Sequence, residues 1–204
     1  MFCYTGDAIF SFDGAANTVV DLRTTLQCVQ GNNPRSFSFM IQTIYTSYAR
    51  ILSTGNARSY SAFNIEFYQG IIRVDVYDAA YFPPTGKAIN DGLWHTVLVT
   101  YDGSTLSIYV DGILDNTATN WNVNNVGSGS IASALNTAGN SGNYLGVYTD
   151  GISYAWIGQL KNVYFYDCVI TNSPTYLLSS LTPTIVPTTA INNLLYTSGN
   201  YIIF

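Results

Sequence analysis

The chain has 204 residues, 48% hydrophobic and only 9% charged, with a net charge of −5. That length fits one domain and that apolar share is enough for a core. Lys87 and Lys161 are the only lysines, so a basic stripe tracking nucleic-acid phosphates is excluded.

Asn, Thr, Ser, Gly and Tyr must supply most of the surface. Such a surface hydrogen-bonds well but repels its neighbours weakly, which suits a protein inside an assembly. An extracellular module with a neutral surface fits equally well. The N-terminus Met1-Phe-Cys-Tyr-Thr-Gly-Asp7 lacks a basic region followed by an apolar run, so no secretory signal peptide is read there. Phe2 is too bulky for removal of the initiator methionine to be expected. No apolar run approaches the ~18 residues of a membrane span, and no Asn-x-Ser/Thr sequon occurs. The simplest account is synthesis in a cytosol and use in a structure built there; a piece of a longer secreted protein is the alternative.

Strand signals run along the chain with turn residues between them, and no convincing amphipathic helix interrupts them. Ala8–Phe12 and Thr18–Leu22 flank Asp13-Gly14. Ser36–Tyr45 follows the Gly31-Asn32-Asn33-Pro34 turn, and Arg50–Ser53 comes next. Phe63–Tyr68 and Ile71–Tyr77 form a hairpin around Gln69-Gly70. A two-residue turn there sets Phe67 against Ile72, Ile65 against Val74 and Phe63 against Val76 on one face, and Glu66 against Arg73 on the other.

Trp94–Gly112 is the most informative stretch, because two alternating runs flank Asp102-Gly103, a strong hairpin signal. A two-residue turn predicts Val99 opposite Leu106, Val97 opposite Ile108 and His95 opposite Val110. Asn116–Asn143 is dense in Asn, Gly, Ser and Ala and reads as long rim loops, with Ile131–Leu135 a candidate short helical turn. Asn143–Thr149 and Ala155–Ile170 return to strand, with Val163 and Phe165 inward and Tyr164 and Tyr166 outward. Residues 1–170 therefore read as one sandwich. Residues 171–204 read as a tail: a Pro/Thr linker over Thr182–Thr189, then Asn192–Tyr196 and Tyr201–Phe204 around a turn. An apolar terminus left free is a liability, so it is expected to pair with this domain's own sheet or with a neighbouring subunit.

Three patches, in order, resemble the laminin-G-like jelly rolls of the concanavalin A-like lectin and glucanase superfamily. They are Ser36-Phe-Ser-Phe-Met-Ile-Gln42, Trp94-His95 through Val110-Asp111-Gly112, and Gly158-Gln-Leu-Lys-Asn-Val-Tyr-Phe-Tyr-Asp167. The middle patch is fairly specific and the outer two count only in this order. The resemblance implies an all-β fold, a two-sheet antiparallel β-sandwich or jelly roll, here with a C-terminal extended tail. It also implies that terminal strands lie side by side, which makes Cys3 and Cys168 the pair to test for a disulfide. With only Cys28 besides these and no Cys-x-x-Cys, three free thiols are the expectation. Many members of this superfamily bind Ca²⁺ through rim-loop aspartates. Asp102 and Asp111 are explained as turn residues, which leaves Asp150 and Asp78 as loop candidates.

Catalysis is not expected. A glycosidase needs two carboxylates flanking the scissile bond, and Glu66 is the only glutamate. Asp75 and Asp78, three residues apart, fall on opposite faces of a strand. His95, the only histidine, excludes multi-histidine metal sites and reads as a packed strand residue rather than a base. Gly127-Ser-Gly-Ser130 lacks the lysine and helix of a phosphate cradle. Binding is expected to rest on loop aromatics: Trp121, Tyr148, Tyr154, Tyr81 and Phe82, with Asp150 beside them. Such rings suit sugars or protein partners. The favoured reading is a non-catalytic structural protein of a large assembly, a virion capsid or surface component whose tail docks on other subunits. The runner-up is a glycan-binding lectin or adhesin domain, with Ca²⁺ dependence open. An inactive relative of a glycosidase is the third. Each places the protein on a virion or at an extracellular surface.

Overall fold

Alternating apolar and polar side chains make strands because successive side chains point to opposite faces. The computed structural model describes residues 2–4, 9–15, 18–22, 30–58, 61–76, 81–83, 85–118, 135–138 and 142–170. Among the described residues there are 13 strands and no α-helix. In chain order they are β1 (Phe2–Tyr4), β2 (Phe10–Asp13), β3 (Val20–Asp21), β4 (Arg35–Gln42), β5 (Tyr48–Ser53), β6 (Asn64–Tyr68), β7 (Ile71–Asp75), β8 (Tyr81–Phe82), β9 (His95–Tyr101), β10 (Leu106–Val110), β11 (Ile113–Ala118), β12 (Tyr144–Leu145) and β13 (Ile157–Tyr166). One sheet runs β1-β13-β4-β9-β10-β11, with β2 also on β13; the other runs β3-β12-β5-β6-β7-β8. All pairings are antiparallel. The chain is thus the two-sheet sandwich implied by the motifs.

The core lies between the sheets. Phe37, Phe39 and Ile41 of β4 and Val97 and Val99 of β9 face Ile65 and Phe67 of β6 and Ile72 and Val74 of β7. Phe37 stacks on Phe63 at 5.7 Å and meets Phe165 edge-on at 5.8 Å. Arg35 closes one end of this core without a carboxylate partner among the described contacts. Its guanidinium donates to Thr137 Oγ1 and to the carbonyls of Gln30, Gly31 and Asn33, and lies over the Phe63 ring. Burial pulls its pKa down to about 10, against a small opposing pull from Tyr101.

The β6–β7 hairpin has the predicted register, Phe67 with Ile72, Ile65 with Val74 and Glu66 with Arg73. Gln69 and Gly70 both take left-handed φ, 50° and 100°, as a two-residue type I′ turn requires. The β9–β10 hairpin corrects the expectation. Tyr101 pairs with Leu106, Val99 with Ile108 and Val97 with Val110, while His95 lies opposite Ile41 on β4. Asp102 causes the shift: its Oδ1 accepts the Ser104 and Thr105 N–H groups and opens the turn to four residues. The slip is two residues, so parity survives and the same side chains enter the core. The tight turn comes next, at Asp111 (φ 51°) and Gly112 (φ 78°), with Val110 opposite Ile113.

Other expectations resolve unevenly. β11 forms where rim loops were expected from Asn116 onward, because β10 offers it a free edge. Val163 and Phe165 enter the core, while Tyr164 and Tyr166 take the other face and are buried there too. β1 does lie beside β13, with Cys3 opposite Phe165, yet Cys168 is an exposed free thiol. Residues 168–170 fold back across β4: Ser36 Oγ donates to the Cys168 carbonyl at 2.8 Å and accepts from the Ile170 N–H at 3.0 Å. The tail at 171–204, Cys28, Asp78 and most of Ile131–Leu135 lie outside the described residues.

Candidate binding site

Apolar side chains of β5, β6 and β7 turn inward, so their alternate residues share the outer face of the six-stranded sheet. Those residues are Tyr48 and Arg50 on β5, Asn64, Glu66 and Tyr68 on β6, and Arg73 and Asp75 on β7. Register aligns them: Tyr48 pairs with Tyr68, Arg50 with Glu66, Glu66 with Arg73 and Asn64 with Asp75. A bulge at Ile51 lets Ile51 and Leu52 both reach the core and returns Ser53 to the outer face.

A buried ion network results. Arg50 Nη1 lies 2.8 Å from Glu66 Oε2 and 2.6 Å from Asp75 Oδ2. Arg73 Nε bonds Glu66 Oε1, the Tyr48 hydroxyl donates to Glu66 Oε2 at 2.8 Å, and Asn64 Nδ2 donates to Asp75 Oδ2 at 3.2 Å. The side chain of Glu66 is 0% exposed. Burial raises its carboxyl above the ordinary value despite the pull of Arg50 and Arg73. Burial acts to lower Arg50, but Glu66 and Asp75 outweigh it and raise its pKa. Burial, then Glu66, pushes the Tyr48 hydroxyl up as well.

Tyrosine rings cap the network. Arg50 lies 5.3 Å from the Tyr48 ring centre and 4.9 Å from that of Tyr148, and Arg73 lies 3.9 Å from that of Tyr68. The rings form a chain of edge contacts: Tyr68 to Tyr48 at 6.3 Å, Tyr48 to Tyr154 at 4.9 Å, and Tyr154 to Tyr148 at 5.8 Å. Tyr148 and Tyr154 arrive on the loop between β12 and β13. That loop is held by Arg50 N–H to Tyr154 O at 2.8 Å and Tyr148 N–H to Ser153 O at 3.0 Å. Tyr154 sits at φ 55°, a strained conformation for a non-glycine residue, with 52% of its surface exposed.

Of the residues expected from sequence, Tyr148, Tyr154 and Asp150 are thus brought to one loop beside this network. Asp150 is exposed, and its carboxylate also folds back on its own loop. Oδ1 accepts from the Ile152 and Ser153 N–H groups and Oδ2 from the Ser153 hydroxyl. Burial raises that carboxyl, but these hydrogen bonds outweigh it and leave it below its ordinary value. Among the described residues no three His, Cys, Asp or Glu side chains gather to hold a metal. The backbone of β8 pairs Tyr81 with Asp75 and Phe82 with Val74. Trp121 lies outside the described residues.

Sequence reasoning missed Tyr48, Arg50, Tyr68 and Arg73 as site members. Their signal is a period of two shared by three strands: Tyr48-x-Arg50, Asn64-x-Glu66-x-Tyr68 and Arg73-x-Asp75.

A family model described as the concanavalin A-like lectin/glucanases superfamily matches residues 13–173. No curated protein sequence matches the chain. Among solved structures, the chain is similar to the NanB sialidase of Streptococcus pneumoniae, with 18% identity and a TM-score of 0.58 over 83% of this chain and 27% of the sialidase. It is similar to the heptameric SAP-like pentraxin of Limulus polyphemus, with 16% identity and a TM-score of 0.56 over 82% of this chain and 79% of the pentraxin. It is also similar to the CBM40 of a Ruminococcus gnavus IT-sialidase, with 14% identity and a TM-score of 0.56 over 82% of this chain and 92% of that module. The chain spans about a quarter of the sialidase, and at these identities the likeness is one of fold.

Proposed function

This chain belongs to the concanavalin A-like lectin/glucanase superfamily, and on that premise we propose that it is a non-catalytic glycan-binding module working at an extracellular or particle surface. Residues 1–170 are the binding unit and residues 171–204 a linker and tail. The carrying observation is the half-exposed Tyr154, held at φ 55° between Tyr48 and Tyr148 in a tyrosine strip over a buried ion network. Rings of this kind stack on sugar C–H faces, and a rigid floor lowers the ordering cost of binding. Glu66 supports a non-catalytic role: the only glutamate serves as counter-ion to two arginines and acceptor for Tyr48. The Ruminococcus gnavus module, bound to α2,3-sialyllactose, is a precedent for glycan binding on a similar fold.

The test is a glycan array probed with the full chain and with Tyr154→Ala. The full chain is expected to bind a subset of glycans with affinity unchanged by a calcium chelator, and Tyr154→Ala to lose about tenfold, roughly 1.4 kcal/mol. An array silent to the full chain overturns the proposal.

A second reading is a structural component of an assembly such as a virion, its tail seated on a neighbouring subunit. The sparse charge supports it. So do the exposed Ile113 (70%) and Leu114 on β11, an edge strand of its sheet among the described residues.

A further inference from the structure

Resting on the glycan-binding reading, we infer that the ligand of this outer face is an uncharged, hydroxyl-bearing glycan and not a sialylated, sulfated or uronic one. The guanidinium groups on the face are already neutralised. Arg50 is held between Glu66 and Asp75 beneath two tyrosine rings, and Arg73 is bound to Glu66. An incoming anion would have to compete with buried carboxylates for cations already paired to them, one of which, Arg50, is itself buried, at a desolvation cost that a surface contact does not repay.

The balance of charge around the network points the same way. Asp21, opposite Tyr144 on the same face, and Asp150 on the flanking loop add negative charge. Exposed Arg58, in the β5–β6 loop, is the one further cation near this end of the sheet among the described residues. Lys87 is bound to Asp111, and Lys161 lies 4.1 Å from the Trp94 ring centre in the other sheet.

The unsatisfied polar atoms are of both kinds, acceptors and donors. Ser53 Oγ, Asn64 Oδ1 and Asp75 Oδ1 sit on adjacent strands of this face, buried and with no hydrogen-bond partner among the described residues. Thr149 Oγ1, on the flanking loop, is buried in the same state, and so are two donors of the network, Arg50 Nε and, despite its ion pairs, Arg50 Nη1. A buried polar atom left without a partner is destabilising, so this mixed set calls for a group that both donates and accepts. A sugar hydroxyl supplies a donor and an acceptor at once, directly or through a bridging water; a carboxylate or sulfate supplies acceptors only.

The experiment is a titration of the full chain against matched glycans, each neutral glycan beside its sialylated, sulfated or uronate counterpart. The neutral member is expected to bind about tenfold tighter. Its affinity should change less than about twofold between roughly 0.05 M and 0.5 M salt, since no unpaired charge is being screened. Ser53→Ala, which removes one unpaired hydroxyl without touching charge, is expected to weaken binding severalfold while the unfolding midpoint holds. Preference for the charged member overturns this inference and leaves glycan binding standing. Silence across every pair overturns both. A neutral preference that Tyr154→Ala and Ser53→Ala leave untouched lies elsewhere on the molecule and also overturns it.

Discussion

Arg50 touches both carboxylates of the network, and removing it leaves two buried acids without their shared cation. Arg50→Ala is expected to cost about 3–5 kcal/mol in urea unfolding, the range for breaking a buried pair from one side. Arg50→Lys recovers only part of this: both carboxylates meet the single nitrogen Nη1, which an ammonium can replace, but the planar contact with the Tyr48 and Tyr148 rings is lost. His95 lies in the other sheet, at the start of β9. Its Nδ1 lies 2.8 Å from Asp111 and its Nε2 3.0 Å from Asp91. Burial works to lower its pKa, but these carboxylates outweigh it and raise it above 6.5. Burial likewise works to raise Asp111, but hydrogen bonds from Lys87, His95 and the Thr96 N–H outweigh it and take it from 3.8 to about 2. The stabilisation from His95 is therefore complete below pH 6.5 and disappears as pH rises through its raised folded value. That from Asp111 is present above pH 3.8 and disappears as pH falls towards 2. The unfolding midpoint should be highest between these limits. His95→Gln should flatten its decline above pH 6.5; an unaltered pH profile in that variant would refute the assignment. Both roles are structural. Neither needs His95 as a base, which agrees with its burial in the strand.

At the scale of elements, turns set how strands meet, and the chemistry of single side chains decides the turns. Gln69-Gly70 and Asp111-Gly112 close two-residue turns, whereas Asp102-Gly103 does not, because the Asp102 carboxylate captures two amides of its own loop. The dipeptide alone does not distinguish these outcomes. Parity does survive a slip of two, so core membership was legible even where pairing was misjudged. Gly146 shows a constraint the pattern did not reveal. It has φ 83°, and a Cβ there would run into the Phe12 ring of β2, a strand more than a hundred residues earlier. Gly146→Ala is expected to cost about 2–4 kcal/mol, combining left-handed strain with overpacking. Its midpoint in urea checks this; a change below about 0.5 kcal/mol would mean that Phe12 moves aside freely.

For the whole molecule, sparse charge and an exposed apolar edge bear on association. If the tail seats on a neighbour, light scattering of the full chain should give an oligomer, and a chain ended after residue 170 should give a monomer. A monomeric full chain would remove the assembly reading and leave glycan binding untouched. Strand alternation, the Glu66–Arg73 pair and the family motifs were all readable along the chain, because each depends on residues within a few positions of one another and on a period of two. The binding face was not. Arg50 meets Glu66 and Asp75 through the pairing of β5, β6 and β7, a bulge at Ile51 returns Ser53 to their face, and Tyr148 and Tyr154 join Tyr48 because β12 docks on β5. Those meetings close loops of 16 to 106 residues, as the numbering shows. Their selection rests on burying two sheets against each other, a condition on the whole chain that no local window contains.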